Sequence, residues 1–192
     1  MAGLRSAATP GDGWTTASGG GTLTHHTLFV TSASYNGNLG GLSGGDAKCA
    51  TRAAAGSATQ SLPGAWRAIL SNATVNAKDR LNLNSGLDVR DSQGNGITSV
   101  SNRLWMTETL SLAGEIRFDE NGSNAAPFNA WTGTQPDGTS SGLSATCQDW
   151  TMGSNSVSGI KGASSFTISK WLSDLVMPCE LSLRLYCINV QE

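Results

Sequence analysis

Residues 179–187 (CELSLRLYC) constrain this chain more than any other stretch. Their odd positions read Cys, Leu, Leu, Leu, Cys, and their even positions read Glu, Ser, Arg, Tyr. Strict alternation is the mark of a half-buried strand, and it turns both cysteines toward the core. Cys49 and Cys147 complete an even set of four. No two of these cysteines are spaced C-x-x-C, which argues against a redox pair or a four-thiolate zinc site. The expectation is two disulfides, with three pairings open. Disulfides need an oxidising compartment. Residues 1–21 (MAGLRSAATPGDGWTTASGGG) lack the apolar stretch of a secretory signal. We therefore expect a piece of a longer exported chain, or export by another route, and an extracellular or cell-surface location.

Composition narrows the partners. Lys and Arg number 12 against 14 Asp and Glu, a formal charge of −2, and only 14% of residues are charged. That excludes the basic face a nucleic-acid partner requires. No apolar run approaches the length of a membrane helix, so membrane insertion is not expected. The 38% hydrophobic content, with six Trp, suffices for one packed core in 192 residues. Arg52, Arg67, Arg80, Arg90, Arg103, Arg117 and Arg184 are scattered singly, which disfavours a heparin-like polyanion.

Residues 1–26, including Trp14, show neither helical nor strand periodicity and read as a linker or fibre-connecting segment, leaving 27–192 as the domain. Residues 27–32 (TLFVTS) read as the first strand, followed by a polar turn over 34–41. Ser43 or Gly44 is expected to cap a helix ending at Ala55 before Gly56, with Asp46 in its first turn. Cys49, Ala50, Ala53 and Ala54 would form its inner face. Residues 66–70 (WRAIL) read as a strand, and 99–105 as a short helix with Val100, Leu104 and Trp105 inward. Further strands are expected at 115–118, 131–133, 147–150 and 167–171, separated by long polar loops.

Three stretches carry a resemblance: residues 49–71, containing LPGAWRAILS, residues 130–150 (AWTGTQPDGTSSGLSATCQDW) and residues 178–189 (PCELSLRLYCIN). In order and spacing over 27–190 the chain resembles the endostatin-like branch of the C-type lectin-like family. Residues 29–49 (FVTSASYNGNLGGLSGGDAKC) are similar to bacterial versions in surface and secreted proteins. The resemblance implies an α+β fold with two short helices packed on antiparallel sheets, long loops, and nested disulfides Cys49–Cys187 and Cys147–Cys179. It also implies a recognition or adhesion domain at the C-terminal tip of a bacterial surface or fibre protein. Its expected partner is a surface glycan or protein of a target cell, and its expected assembly a homotrimer.

The candidate site residues follow from the same comparison. Gln135-Pro136-Asp137 lies where C-type lectins hold calcium and, through it, sugar hydroxyls; Asp174 would be a third ligand. The carboxylate those lectins place before the cysteine is Ser144-Ala145-Thr146 here, and Pro136-Asp137-Gly138 also reads as a plain turn. A calcium-dependent lectin is thus one alternative, and a module that assembles a surface lattice is another. Trp66, Trp105 and Trp150 sit in apolar patterns and are expected in the core. Trp131 and Trp171 flank the loops over 133–146 and 151–165; core packing is the first reading for each, and indole faces presented to a ligand the second. Gln135, Asn155 and Ser156 would supply hydrogen bonds.

His25-His26 would point to opposite faces of a strand and so cannot converge on one metal. The two G-x-S-x-G strings, 41–45 and 138–142, follow from the Gly and Ser content, and no base accompanies them. Residues 91–96 (DSQGNG) resemble the start of a calcium loop but have Asn102 where its last ligand would be Glu. Asn72-Ala73-Thr74 and Asn121-Gly122-Ser123 match glycosylation sequons, which a bacterial source would leave without weight. No enzyme is expected.

Overall fold

The structure is a computed structural model that describes residues 21–191; Trp14 and most of the expected linker lie outside them. Eight strands form one mixed sheet: β1 (His26–Val30), β2 (Ala65–Ala68), β3 (Val89–Asp91), β4 (Gly96–Thr98), β5 (Asn129–Trp131), β6 (Ser158–Ala163), β7 (Leu175–Pro178) and β8 (Arg184–Val190). Two right-handed helices accompany it, α1 (Gly41–Ala55) and α2 (Ala77–Leu81), with 3-10 turns at Ser101–Trp105, Leu143–Ala145 and Ser169–Trp171. The fold class is therefore α+β. The strand order is β4-β3-β1-β8-β5-β6-β7, with β2 also pairing β8.

The closing strand β8 is the axis of this arrangement. It runs antiparallel to β1 along one edge, with Phe29 opposite Cys187. Along its other edge it pairs parallel with β5 at Arg184 and Leu185, then antiparallel with β2 from Cys187 to Val190. The alternation in its sequence separates two cores rather than a core from solvent. Leu185 and Cys187 join Phe29, Trp131 and Trp150 on one face. Tyr186, Ile188 and Val190 join Leu28, Val30 and Trp171 on the other. The half-buried strand expected from 179–187 is thus corrected to one buried on both faces and starting at Arg184. Leu181 is exposed in the turn that precedes it.

α1 begins at Gly41, after Gly40 in the left-handed region at φ 85°, two or three residues before the expected cap. Its inner stripe is Gly45, Cys49 and Ala53, spaced four apart, while Ala50 and Ala54 face outward. Asp46 serves no dipole role: it pairs with Arg80 and accepts a hydrogen bond from the Ala68 N–H at 2.9 Å. The helix expected at 99–105 is only a 3-10 turn.

Four expected strands fare differently. β5 occupies Asn129–Trp131, close to its expected place. Residues 115–118 form no strand, 147–150 turn left-handed, and 169–171 lie in a 3-10 turn. The structure instead places β6 inside what reads as a loop, because two glycines and a lysine (SGIKGA) mask a buried strand. The ordered fold also reaches back into the expected linker. Leu23 is buried, and its N–H donates to Gln191 Oε1 at 2.9 Å. His26 is buried at the head of β1; its Nδ1 donates to the Asn189 carbonyl at 2.8 Å and its Nε2 accepts from the Asn84 N–H at 3.1 Å.

Both disulfides are present, Cys49–Cys187 tying α1 to β8 and Cys147–Cys179 tying the end of the long loop to the turn after β7. They span 138 and 32 residues. In the chain-entropy account loops of these sizes restrain the unfolded state by about 5 and about 4 kcal/mol if each is taken alone.

A buried ion pair closes the other end of α1. The Glu120 side chain is fully buried and pairs with Arg52. Its carboxylate also accepts hydrogen bonds from the Ser32 N–H at 2.9 Å and Ser32 Oγ at 2.5 Å. Burial works to raise this carboxyl, but the Ser32 hydrogen bonds and Arg52 together hold it below the ordinary value. A carboxyl depressed in the folded state adds stability above its unfolded value, about 4.3, and that stability disappears as pH falls through the folded value. Glu120→Gln is therefore expected to cost about 3 kcal/mol at neutral pH and to flatten the loss of stability below about pH 4.3. Urea denaturation at a series of pH values measures both.

Candidate functional site

The most distinctive surface grows from the long excursion between β5 and β6. Thr134 bridges Ser140, the Gln135 N–H donates to the Thr139 carbonyl at 2.8 Å, and the Gly138 N–H donates to the Gln135 carbonyl at 2.9 Å. Gly138 turns the chain at φ +82°. Asp137 closes this turn by accepting from the Thr139 hydroxyl at 2.6 Å and the Thr139 N–H at 2.9 Å. Those two hydrogen bonds, with Lys78 nearby, hold the Asp137 carboxyl below its ordinary value.

The turn rests on two other segments. The Lys78 N–H donates to the Gly138 carbonyl at 3.2 Å, the Ser140 N–H donates to Asn76 Oδ1 at 2.9 Å, and Ser140 Oγ donates to the Asn72 carbonyl. Gly138 lies directly on the Trp105 indole: a Cβ there would stand 2.9 Å from two ring carbons and 2.8 Å from Lys78 Cβ. Trp105 itself stays half-buried. Residues 72–78, Trp105 and 134–141 thus make one continuous face with an aromatic ring, a cation, a carboxylate and several neutral hydrogen-bonding groups.

A left-handed turn braces this face from below. Cys147, Gln148, Asp149 and Trp150 lie at φ 50°, 53°, 56° and 65°. For residues with a Cβ this conformation costs about 1–2 kcal/mol each, so it persists only where its surroundings enforce it. Trp150 Nε1 donates to the Ser71 carbonyl at 2.7 Å, and the Trp150 carbonyl accepts from Leu39 and Gly40. Asp149 Oδ1 accepts from the Ala73 N–H at 2.7 Å, joining the turn to the 72–76 loop. No residue type in CQDW demands a left-handed backbone, so the sequence carried no signal for it.

The expected site residues divide. Gln135 and Asp137 sit on the face just described. Trp131 and Trp171 do not: both are completely buried. Trp131 packs against Trp150 at 6.1 Å between ring centroids and donates its Nε1–H to the Tyr35 carbonyl at 2.9 Å. Trp171 packs edge-on against Tyr186 at 5.4 Å. Neither has a free face for a ligand; of the three expected in the core, Trp150 is fully buried, and Trp66 and Trp105 are partly buried and pack against the core. Asn155 and Ser156 are exposed on a loop shortened to 151–157 by β6, where Ser156 Oγ meets Ser154 Oγ at 2.8 Å. No side-chain hydrogen bond joins that loop to the 134–141 turn among the described residues.

Calcium does not fit the residues present. The ion takes six to eight oxygens, whereas Asp137 Oδ1 already caps its own turn and Asp174 pairs with Lys161 at 2.6 Å. Among the described residues no three His, Cys, Asp or Glu side chains converge as a metal group would require.

A sequence family described as a protein of unknown function (DUF1554) matches residues 32–167. The chain belongs to the DUF1554 family. No curated protein matches it. The DUF1554 match takes in α1, Trp105, the whole 72–78 and 134–141 face and the left-handed turn, and stops before β7 and β8.

In this DUF1554 domain Trp131→Ala should cost about 3–5 kcal/mol of stability, as a core truncation; thermal or urea unfolding reads it. Gly138→Ala should lift the turn from Trp105 because its Cβ has no room. The expected readout is a red shift of tryptophan emission with far-ultraviolet circular dichroism retained.

Proposed function

We propose that this domain is an extracellular recognition module of the endostatin-like C-type lectin-like class, carried at the C-terminal tip of a bacterial surface or fibre protein. It binds a glycan or protein on a target surface through residues 72–78, Trp105 and 134–141, without calcium. The observation that carries the reading is the partly exposed Trp105 indole lying under Gly138, on a hydrogen-bonded turn that also carries Gln135 and Asp137 and rests on Lys78. An indole supplies rigid contact area at low entropic cost, and the polar groups beside it set orientation. Two disulfides within an α+β domain suit an oxidising, extracellular setting, and no described helix is long and apolar enough to cross a membrane.

A glycan array probed with and without EDTA tests this, using wild-type protein and the Trp105→Ala and Gln135→Ala variants. The expected result is glycan binding unchanged by EDTA and weakened about thirtyfold in Trp105→Ala, the effect of a central anchor, while the melting transition stays cooperative. Binding abolished by EDTA would overturn the calcium-free reading. Binding undiminished in Trp105→Ala would move the site elsewhere, and a silent array would leave only a protein target, tested with the same variants on intact cells.

A further inference from the structure

On the far side of the β5–β6 excursion, three side chains of matched chemistry meet. Lys161 on β6 is 6% exposed, an unusual place for an ammonium group. Its Nζ lies 2.6 Å from Asp174 Oδ2, just before β7, and 3.0 Å from Asn129 Oδ1 on β5. The register places Lys161 opposite Trp131 and Asn129 opposite Ala163, so Lys161 and Asn129 are diagonal neighbours on one face of the sheet. A buried ammonium paired with a carboxylate is already neutralised. The carboxamide at the same nitrogen adds something else: a carbonyl carbon one bond beyond the hydrogen-bonded oxygen, held beside an amine and a proton acceptor.

We infer that Lys161 and Asn129 form an intramolecular isopeptide bond, with Asp174 moving the protons. Asp174 Oδ2, 2.6 Å from Nζ, is placed to take a proton from the Lys161 ammonium and so free the amine. The free amine Nζ attacks Cγ of Asn129. The Nζ–Cγ bond forms, the Cγ–Nδ2 bond breaks, and nitrogen leaves as ammonia. Of the ammonium's three protons, one remains on the new amide, one passes through Asp174 to the departing nitrogen, and one leaves as ammonia becomes ammonium. Asp174 ends as it began. No oxidant, reductant or co-reactant enters. Asn129 is exposed as a residue while its Oδ1 meets the buried amine, so ammonia has an open route to water. The holding geometry is unimolecular, which is the main requirement of a reaction that is slow between free groups. The product ties β5 to β6 covalently, in the part of the sheet that reaches β8 only through the short β5 pairing.

The mass of the intact, reduced wild-type chain tests this without any substitution. The expected mass is one ammonia below that of the sequence, and proteolysis should release a branched peptide joining the segments around 129 and 161. Because Asn36, Asn95 and Asn121 each precede Gly and can lose ammonia by cyclisation, the branched peptide and a Lys161→Arg variant discriminate. Lys161→Arg and Asp174→Ala should each regain the full mass. A wild-type chain at full sequence mass, an ammonia loss that persists in Lys161→Arg, or a water loss with a branch to Asp174 would each overturn the inference.

Discussion

Burial of β8 on both faces is the constraint from which the rest of this molecule follows. A seven-residue strand with Leu185, Tyr186, Cys187 and Ile188 all out of water needs a core on each side and partners along both edges. β1 supplies one edge, and β2 and β5 share the other. Because β2 ends where β5 begins, the sheet divides there. One part carries α1 and the Cys49–Cys187 bond. The other extends through β6 and β7 and releases the long excursion that builds the candidate face. That excursion can be long and polar because the disulfide, the left-handed turn and the stitched 72–78 segment fix it at several points.

The parts of the fold that were legible in the sequence are those where one residue pattern has one structural meaning. The alternation in 179–187 locates the closing strand, although it does not say that the second face is also covered. The run of Gly and Ala around Cys49 reads as a helix that approaches a sheet closely, and Gly45 against Leu70 and Ala68 realises this. The disulfide pairing came from resemblance, not from spacing. What was illegible depended on distant neighbours. β6 hides behind Gly159, Lys161 and Gly162, residues that normally argue against a strand.

Those same glycines hold the signal that was missed. A Cβ at Gly159 would stand 3.1 Å from the Trp131 ring, and one at Gly162 would overlap the Trp171 carbonyl. Glycine within a strand marks close approach by a bulky group, and here the groups are Trp131 and the Trp171 turn. The burial of these tryptophans is therefore one effect: β6 is a strand, its glycines admit Trp131 and the Trp171 turn, and the loop expected over 151–165 contracts to 151–157. Trp105 packs on the core and stays partly exposed, with Gly138 against its ring.

Charge bears on the proposed recognition. The chain has few ionisable groups, and among the described residues five ion pairs consume ten of them. Three of the pairs are clips between elements: Arg52–Glu120 and Arg80–Asp46 anchor α1, and Lys161–Asp174 joins β6 to the start of β7 until the inferred amide to Asn129 forms. Exposed pairs contribute little to stability, but a fully buried Glu120 cannot lose its partner cheaply. Charge spent inside is not available for long-range steering. On the proposed reading, binding at the 72–78 and 134–141 face comes from contact: an indole surface, amides, hydroxyls, and one cation and one carboxylate, Lys78 and Asp137, whose charges cancel and do not attract a polyion. In that reading such a face discriminates by shape and hydrogen-bond geometry, and a rigid frame beneath it lets that geometry be kept.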